Sequence, residues 1–310
     1  MKRFLVKTFI SIIPLGLFFL VTEYKLRKRE TIYSVQKASL DQNLNRIETL
    51  VLGSSHAFYG INPEYLMPNS FNLAAPGQDF YFDYQLLVKY IDSLVALKAV
   101  ILPVSYHSFY NSLEFSSADD NRVDFYYHVH KIKASKKHSA VLSNIRLSSY
   151  GIRRGTYFAF LEKKNIKLTK GHLSYQSDEL SIINTTDPAS VINNINDYHK
   201  IMNTEFLTWN TKWLNESIKL LLKKGIVPIL ITTPVFKTHS NNLDPKYAKG
   251  MQELTRLICK QHNLTYFNLM KSKQFNEKDF YNANHLNGSG AIKLSNILGN
   301  RIDSVLKGNN

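Results

Sequence analysis

The sequence predicts an α/β fold with a doubly wound, mostly parallel sheet. Short apolar runs bounded by glycine, proline or polar residues recur along the chain, and segments with apolar residues at helical spacing lie between them. Strands that alternate with long helices are typical of parallel βαβ units. The 310 residues predict about two domains or one large one, with ample length for a buried core.

The first 30 residues predict an uncleaved membrane signal anchor. An apolar stretch over 4–22, long enough to span a bilayer, carries Lys7 as its one charge and follows basic residues at positions 2 and 3. Glu23, Tyr24 and Lys25 come next, where a removed signal peptide would have small residues at its cleavage site. Basic residues on both sides of the span leave its orientation open. The chemistry inferred below suits an extracytoplasmic domain, in the periplasm or at the cell surface.

Five apolar runs predict the strands, because each is too short for a typical helix, and four longer segments with helical periodicity predict the helices. A linker or short stalk helix over 31–46 precedes them. The predicted strands are 47–53, 71–75, 99–104, 226–233 and 264–269. The predicted helices are 80–97, 205–224, 245–261 and 291–306. Gly225 after the second helix and Pro234 after the fourth strand are typical stop residues.

Between the two halves, about 105–203, the sequence predicts an irregular basic insertion, or cap. Its stretch 131–170 holds eleven Lys and Arg residues and one acidic residue, Glu162. Two interpretations stay open: a solvated basic face, or a cap that draws anionic glycan or lipid headgroups toward the site. Nucleic acid is disfavoured as a partner, because no recognised binding motif accompanies the apolar N-terminus.

Composition excludes several classes of protein. Hydrophobic residues make up 44% and charged residues 20% of the chain, which excludes a disordered chain, a collagen-like fibre and a polytopic membrane protein. The single cysteine, Cys259, excludes an internal disulfide framework, a cysteine-based zinc site and a CxxC redox pair. No HExxH, Walker or GxGxxG motif occurs. The net charge of +15 predicts a negatively charged partner.

Three segments carry polar residues suited to chemistry. They are GSSH at 53–56, NLAAPG at 72–77 and NANHLNG at 282–288. The first two follow predicted strands, and the third lies between the last strand and the last helix. Because the carboxyl ends of parallel strands meet at one edge of a sheet, where ligands bind, we expect the three segments to converge there.

Together these segments resemble the SGNH/GDSL hydrolase superfamily. That family places a nucleophile in a Gly-Asp-Ser block after strand one, a glycine in a second block and a histidine in an Asp-x-x-His block near the C-terminus. Ser55, Gly77 and His285 match these positions. The stretches GSSHAFYGINP (53–63) and FYNANHLNGSGA (280–291) are similar to a subgroup with one N-terminal membrane anchor that accompanies bacterial surface-polysaccharide assembly.

The resemblance covers about 47–104 and 225–306, and implies one flavodoxin-like domain over 47–310 that includes the basic insertion. It implies that Ser55 is the nucleophile and His285 the base, and that the backbone N–H groups of Ser55 and Gly77 bind the oxyanion. A carbonyl ester would then form an acyl-Ser55 intermediate. Water as the acceptor makes an esterase, and a sugar hydroxyl makes an acyltransferase.

The acid of the resembling family is replaced in this chain. Its aspartate, three residues before the histidine, corresponds to Asn282, which cannot stabilise an imidazolium by charge. Three alternatives stay open: Asp279 supplies the acid, Asn282 only orients His285, or a Ser-His dyad suffices.

Other family positions also differ. The block-one aspartate corresponds to Ser54, and no third-block asparagine follows the third strand. Ser105, Tyr106 or His107 would have to donate in its place. His56 and His107 are further candidates for lining the site, with a structural role as the competing interpretation for each.

The resemblance therefore leads to a membrane-anchored serine esterase or O-acyltransferase acting on an acylated cell-surface glycan or a lipid-linked saccharide. That mechanism needs no metal or organic cofactor. Two alternatives stay open: a catalytically inactive relative that binds saccharide or polysaccharide-assembly proteins, and a lipase at the membrane surface. The aromatic stretches 80–82 and 125–127 fit sugar stacking, with core packing as the competing interpretation.

Overall fold

The computed structural model describes residues 1–115, 122–135, 145–162, 165–175 and 185–308, without the side chains of Lys2 and residues 4–9. The chain forms two compact units. The helical unit comprises Met1–Ser34 and Asp119–Ile166, and the sheet unit comprises Val35–Ala118 and Lys167–Asn310. Residues of the predicted basic insertion, 105–203, therefore belong to both units.

A five-stranded parallel sheet forms the centre of the sheet unit. Its strands are β1 (Thr49–Val51), β2 (Ser70–Asn72), β3 (Ala99–Pro103), β4 (Val227–Thr232) and β5 (Thr265–Asn268). They lie in the order β2-β1-β3-β4-β5, and each neighbouring pair is parallel. This order confirms the predicted doubly wound α/β sheet. The strand order reverses between β1 and β3, which is where sheets of this kind bind ligands, beyond the carboxyl ends of the strands.

Helices, two 3₁₀ turns (Pro63–Tyr65 and Glu277–Asp279) and one hairpin complete the described elements. The helices are α1 (Lys2–Lys28), α2 (Ile32–Asp41), α3 (Ser55–Gly60), α4 (Phe80–Tyr90), α5 (Arg122–Phe125), α6 (Arg146–Tyr150), α7 (Ile152–Phe160), α8 (Pro188–Ile201), α9 (Phe206–Lys223), α10 (Lys237–Asn242), α11 (Pro245–His262) and α12 (Gly288–Gly308). A π-helical turn, Tyr126–His130, follows α5. Strands β6 (Phe280–Asn282) and β7 (His285–Leu286) pair antiparallel as a hairpin that the sequence did not predict.

The predicted helix 80–97 is wrong in its second half. Helix α4 ends at Tyr90, and the chain continues in turns in which the backbone N–H groups of Ser93 and Leu94 both donate to the Tyr90 carbonyl. Ile91, Leu94 and Leu97 are nevertheless buried. The apolar spacing therefore predicts the burial of these three residues correctly. It does not distinguish a helix from consecutive turns, which bury the same side chains here.

The region predicted to be irregular, 105–203, contains helices in its described parts. The longest is α8, in which Pro188 occupies the first turn and the Asp187 side chain accepts a hydrogen bond from the Ser190 N–H. Its Val191 and Ile195 are buried. This cap and this apolar spacing are ordinary helix signals, so the sequence contains enough local information to predict this helix.

The N-terminal helix α1 covers the segment predicted to anchor the chain. Among the residues whose side chains are described, no helix is long and apolar enough to cross a membrane. The side chains of residues 4–9, which belong to the predicted anchor, are not among the described ones. The anchor therefore stays a prediction.

Candidate active site

The loop that carries Ser55 leaves the sheet at the end of β1 and turns sharply at Gly53. This glycine has a φ of +101°, and a Cβ there would lie 3.0 Å from the Pro103 ring, so the turn requires glycine. Its N–H donates to Oδ1 of the buried Asp83 at 2.9 Å. The turn places Ser55 at the first residue of α3, at the carboxyl end of β1.

The β6–β7 hairpin brings His285 to this serine. His285 Nε2 lies 2.8 Å from Ser55 Oγ, although the two residues are far apart in the sequence. Gly290, near the start of α12, lets this helix lie against the backbone that precedes the hairpin, because a Cβ there would clash with the Asp279 carbonyl oxygen. The predicted nucleophile and base thus lie within hydrogen-bond distance.

Asn282 determines which nitrogen of His285 carries the proton. Its Oδ1 accepts hydrogen bonds from the backbone N–H groups of His285 at 2.8 Å and Asn284 at 3.2 Å. Two N–H donors can face only the oxygen of the amide, not its NH₂ group. His285 Nδ1, 3.2 Å from the same oxygen, must therefore donate to it. Nε2 of the neutral ring then has its lone pair free to accept the Ser55 Oγ–H.

Asp279 does not contact the imidazole, so the alternative in which it supplies the acid is not supported. Its Oδ2 accepts from the Asn276 N–H at 2.9 Å and from Lys293 Nζ at 2.8 Å. The first contact belongs to a capping box that begins the short 3₁₀ turn Glu277–Asp279. Asp279 thus caps this turn, and Asn282 occupies the position beside His285.

Two backbone N–H groups are available for an oxyanion. Ser55 is the first residue of α3, and Gly77, with φ +77°, lies in the loop after β2. Within the described residues neither N–H has a hydrogen-bond acceptor. The buried Asn72 fixes the loop after β2 to α3, because its Nδ2 donates to the carbonyls of Ala57 and Ile61.

A pocket beside Gly77 contains a residue that the sequence analysis missed. Asn111 lines it together with Gly53, Ser54 and Gly77. Asn111 is buried, and its Oδ1 has no hydrogen-bond partner among the described residues. Asn210 Nδ2 donates to the Asn111 carbonyl at 2.9 Å and so fixes this part of the chain. Because Asn111 lies well beyond the end of β3, no motif spacing pointed to it.

The four residues predicted to line the site, His56, Ser105, Tyr106 and His107, line one pocket. The His56 ring is 4.9 Å from that of His285 and 5.6 Å from that of His107, centroid to centroid. His56 Nδ1 is hydrogen-bonded to Ser105 Oγ at 2.6 Å. The hydroxyl of Tyr106, by contrast, contacts His199 Nε2 and the backbone N–H of Asp244.

Burial keeps the histidines of this site neutral. Burial, and after it the electrostatic interaction with His107 and His239, lowers the pKa of His285 to about 3. Burial also lowers the pKa of His107 and that of His239 to about 4. The amide of Asn282 contributes no negative charge that would raise the pKa of His285. At neutral pH His285 is therefore an unprotonated base.

Three stacked tyrosines lie beside His285. Ring centroids are 3.9 Å apart between Tyr59 and Tyr175 and 3.9 Å apart between Tyr175 and Tyr281. The Tyr59 ring lies 5.8 Å from that of His285, and all three tyrosines are half-buried. The stretches predicted to stack on sugars are instead mostly interior, because Phe80, Tyr81, Phe82, Phe125 and Tyr126 are buried.

No group of three or more His, Cys, Asp or Glu side chains in the described parts of the chain is arranged to hold a metal ion.

No protein-family model matches the chain, and no curated protein does either. Among solved structures, a GDSL-like lipase from Bacteroides thetaiotaomicron is similar at 10% identity and a TM-score of 0.42, over 88% of this chain and 99% of that chain. A lipase/acylhydrolase from Enterococcus faecalis is similar at 12% identity and a TM-score of 0.40, over 84% and 97%. Similarities at this distance do not show what this chain does.

The first prediction concerns the pKa of His285. Histidine-selective NMR titration, assigned with His285→Gln, should give a pKa well below the ordinary 6.5. Asn282→Asp should raise that pKa by about one to three pH units, because a carboxylate would face Nδ1–H. Asp279→Asn, the matched control, should leave it unchanged. A pKa at or above 6.5 in the unsubstituted protein would show that the site does not desolvate His285.

Proposed function

We propose that the sheet unit is a serine ester hydrolase of the SGNH/GDSL type, with Ser55 as nucleophile and His285 as general base. The observation that carries this is the 2.8 Å contact between Ser55 Oγ and His285 Nε2, in the tautomer that Asn282 imposes. A serine hydroxyl becomes an effective nucleophile only when an adjacent base accepts its proton.

In the acylation step, Ser55 Oγ attacks the ester carbonyl while its proton moves to His285 Nε2. The carbonyl oxygen becomes an oxyanion, to which the N–H groups of Ser55 and Gly77 donate. Asn111, in the pocket beside Gly77, is the candidate for a third donor through its side-chain amide. Loss of one such donor typically lowers kcat by about 100- to 1000-fold.

The imidazolium then gives its proton to the leaving alcohol, and acyl-Ser55 remains. In the second step His285 Nε2 takes a proton from the incoming hydroxyl, whose oxygen attacks the acyl carbon. The bond from the acyl carbon to Ser55 Oγ then breaks, and His285 returns the proton to Ser55 Oγ. Water as the attacking group makes the reaction a hydrolysis, whereas a sugar hydroxyl makes it an acyl transfer. Both reactions use the same side chains.

Asn282 makes this reaction slower than a carboxylate would. In serine proteases, exchange of the triad aspartate for asparagine lowers kcat by about 10⁴-fold because the amide selects the wrong tautomer. In this protein the amide oxygen faces Nδ1, so the tautomer is the productive one. The remaining loss is electrostatic, since a neutral amide stabilises the imidazolium less than a carboxylate does.

For the substrate, we propose an acylated cell-surface glycan or a lipid-linked saccharide, reached by a membrane-anchored chain outside the cytoplasm. The three stacked tyrosines support this choice, because half-buried aromatic side chains with hydroxyl groups beside the base suit contact with a sugar ring at the outer faces and edges of the stack. Partner proteins of polysaccharide assembly belong to the same proposal.

The second prediction tests the nucleophile and the base with p-nitrophenyl acetate and the full chain in mild detergent. Ser55→Ala and His285→Ala should lower kcat by about 1000-fold or more. Asn282→Asp should raise kcat about tenfold, because its charge stabilises the imidazolium. Asp279→Asn should leave kcat within about twofold, provided its melting temperature is unchanged. Turnover no faster than that of Ser55→Ala would favour the saccharide-binding alternative.

The third prediction tests the saccharide. Tyr281→Ala should lower kcat/KM for an acetylated oligosaccharide by roughly three- to tenfold, the range that one aromatic contact provides. Turnover of p-nitrophenyl acetate should stay the same. Tyr65→Ala, at an exposed tyrosine outside the stack, is the matched control. Equal losses on both substrates would indicate a structural role for the stack and remove its support for a glycan.

A further inference from the structure

The helical unit exposes large apolar side chains on more than one side of α1. Those that are exposed and described are Ile10, Ile12, Ile13, Leu15, Leu17, Phe18, Leu20 and Val21. Successive residues of a helix are rotated by about 100°, so these side chains point in several directions. The groove of a protein partner would cover one face of such a helix, whereas a lipid phase covers all of them.

Helix α7 adds a second exposed apolar surface in the same unit. Ile152, Tyr157 and Phe160 are exposed, and Leu161, directly after the helix, is 74% exposed. Arg153 and Arg154 are exposed as well. Apolar and basic side chains on one short helix are typical of helices that lie in the interface of a membrane.

Helix α7 is held against α1 near the end of the apolar stretch. The Phe160 ring stacks on Phe18 with centroids 6.1 Å apart, and Lys25 Nζ lies 4.2 Å from the Phe160 ring centroid. The buried Gly155 of α7 lies against Leu147 and Leu26, because a Cβ there would contact both side chains. Arg29 pairs with Glu162 just beyond α7.

Glu23 joins α6 to the same point of α1. Its carboxylate accepts hydrogen bonds from the backbone N–H groups of Arg146 at 3.0 Å and Leu147 at 2.9 Å, at the start of α6. Arg27 Nε donates to the same carboxylate. The first acidic residue after the apolar stretch is thus neutralised inside the unit, and so is Glu162. Besides Arg27, the exposed basic side chains in this unit include Lys25, Lys28, Arg153 and Arg154.

We propose that the helical unit docks on an anionic lipid bilayer, with α7 lying in the interface beside α1. Phe160 packs at the level of Phe18, which precedes Glu23 by about 7–8 Å along α1 at 1.5 Å per residue. Interfacial helices bury their apolar face about 5–10 Å deep, so this depth suits Phe160. The exposed Leu161 follows it directly in the chain. The basic side chains then lie at the level of the lipid phosphates. The proposal concerns α7 and does not depend on an esterase activity.

The experiment places one fluorescent label on α7 and one on the sheet unit. Leu161→Cys and Val95→Cys are matched, because these side chains are 74% and 77% exposed. The native Cys259 is buried, which raises its pKa to about 11, so it stays protonated and reacts poorly with a thiol probe. Each full-length variant carries an NBD probe in vesicles of phosphatidylcholine and phosphatidylglycerol (3:1), with nitroxide-labelled lipids as quenchers.

The Leu161 probe should shift its emission to the blue and lose about half of its intensity to shallow nitroxides, and less to deep ones, as expected for an interfacial helix. The Val95 probe should do neither. Arg153→Glu with Arg154→Glu should weaken the quenching at Leu161. Equal behaviour of the two probes would overturn the proposal. A blue shift at Leu161 without lipid quenching would also overturn it, because the face would then be covered by protein.

Discussion

The candidate site depends on one hydrogen bond, from His285 Nδ1–H to Asn282 Oδ1. The amide oxygen is held in place by two backbone N–H groups of its own hairpin. A reversed amide would set its NH₂ group against both of these donors, so the orientation is fixed by local backbone geometry. From that orientation follow the proton on Nδ1, the free lone pair on Nε2 and the direction in which Ser55 can lose its proton. Asn282 thus orients His285 as a triad carboxylate would, but it lacks the negative charge of a carboxylate.

Buried polar side chains hold the loops of the site in position. Asp83 accepts the Gly53 N–H before the nucleophile, Asn72 joins the loop after β2 to α3, and Asn210 fixes the chain around Asn111. Each of them forms hydrogen bonds to backbone groups of buried residues. Burial raises the pKa of Asp83 to about 7. The loops of the site all follow the carboxyl edge of the sheet, and these buried side chains fix the position of each loop along that edge.

The sequence was most informative where local pattern and topology coincide. Ser55 and Gly77 follow strands, and parallel strands bring their carboxyl ends to one edge, so their convergence could be predicted without coordinates. Asn111 and Tyr175 belong to no recognisable motif. Contacts between distant parts of the chain bring them to the site, so the local sequence does not indicate their position. Spacing could not decide between Asp279 and Asn282, since a capping box and a triad acid look alike in a sequence. The predicted helix was too long after Tyr90 for a related reason, because apolar residues in buried turns can have the same spacing as those on one face of a helix.

The most direct test of the central claim is the reaction of the folded full-length chain with a fluorophosphonate, followed by peptide mass spectrometry. We expect one phosphonyl group on the peptide that contains Ser55, no adduct in Ser55→Ala, and a rate lowered by about 1000-fold in His285→Ala, because the serine would have lost its base. Absence of an adduct in the folded protein would contradict the account. A labelling rate that is unchanged in His285→Ala would contradict it equally, since Ser55 would then not depend on this histidine.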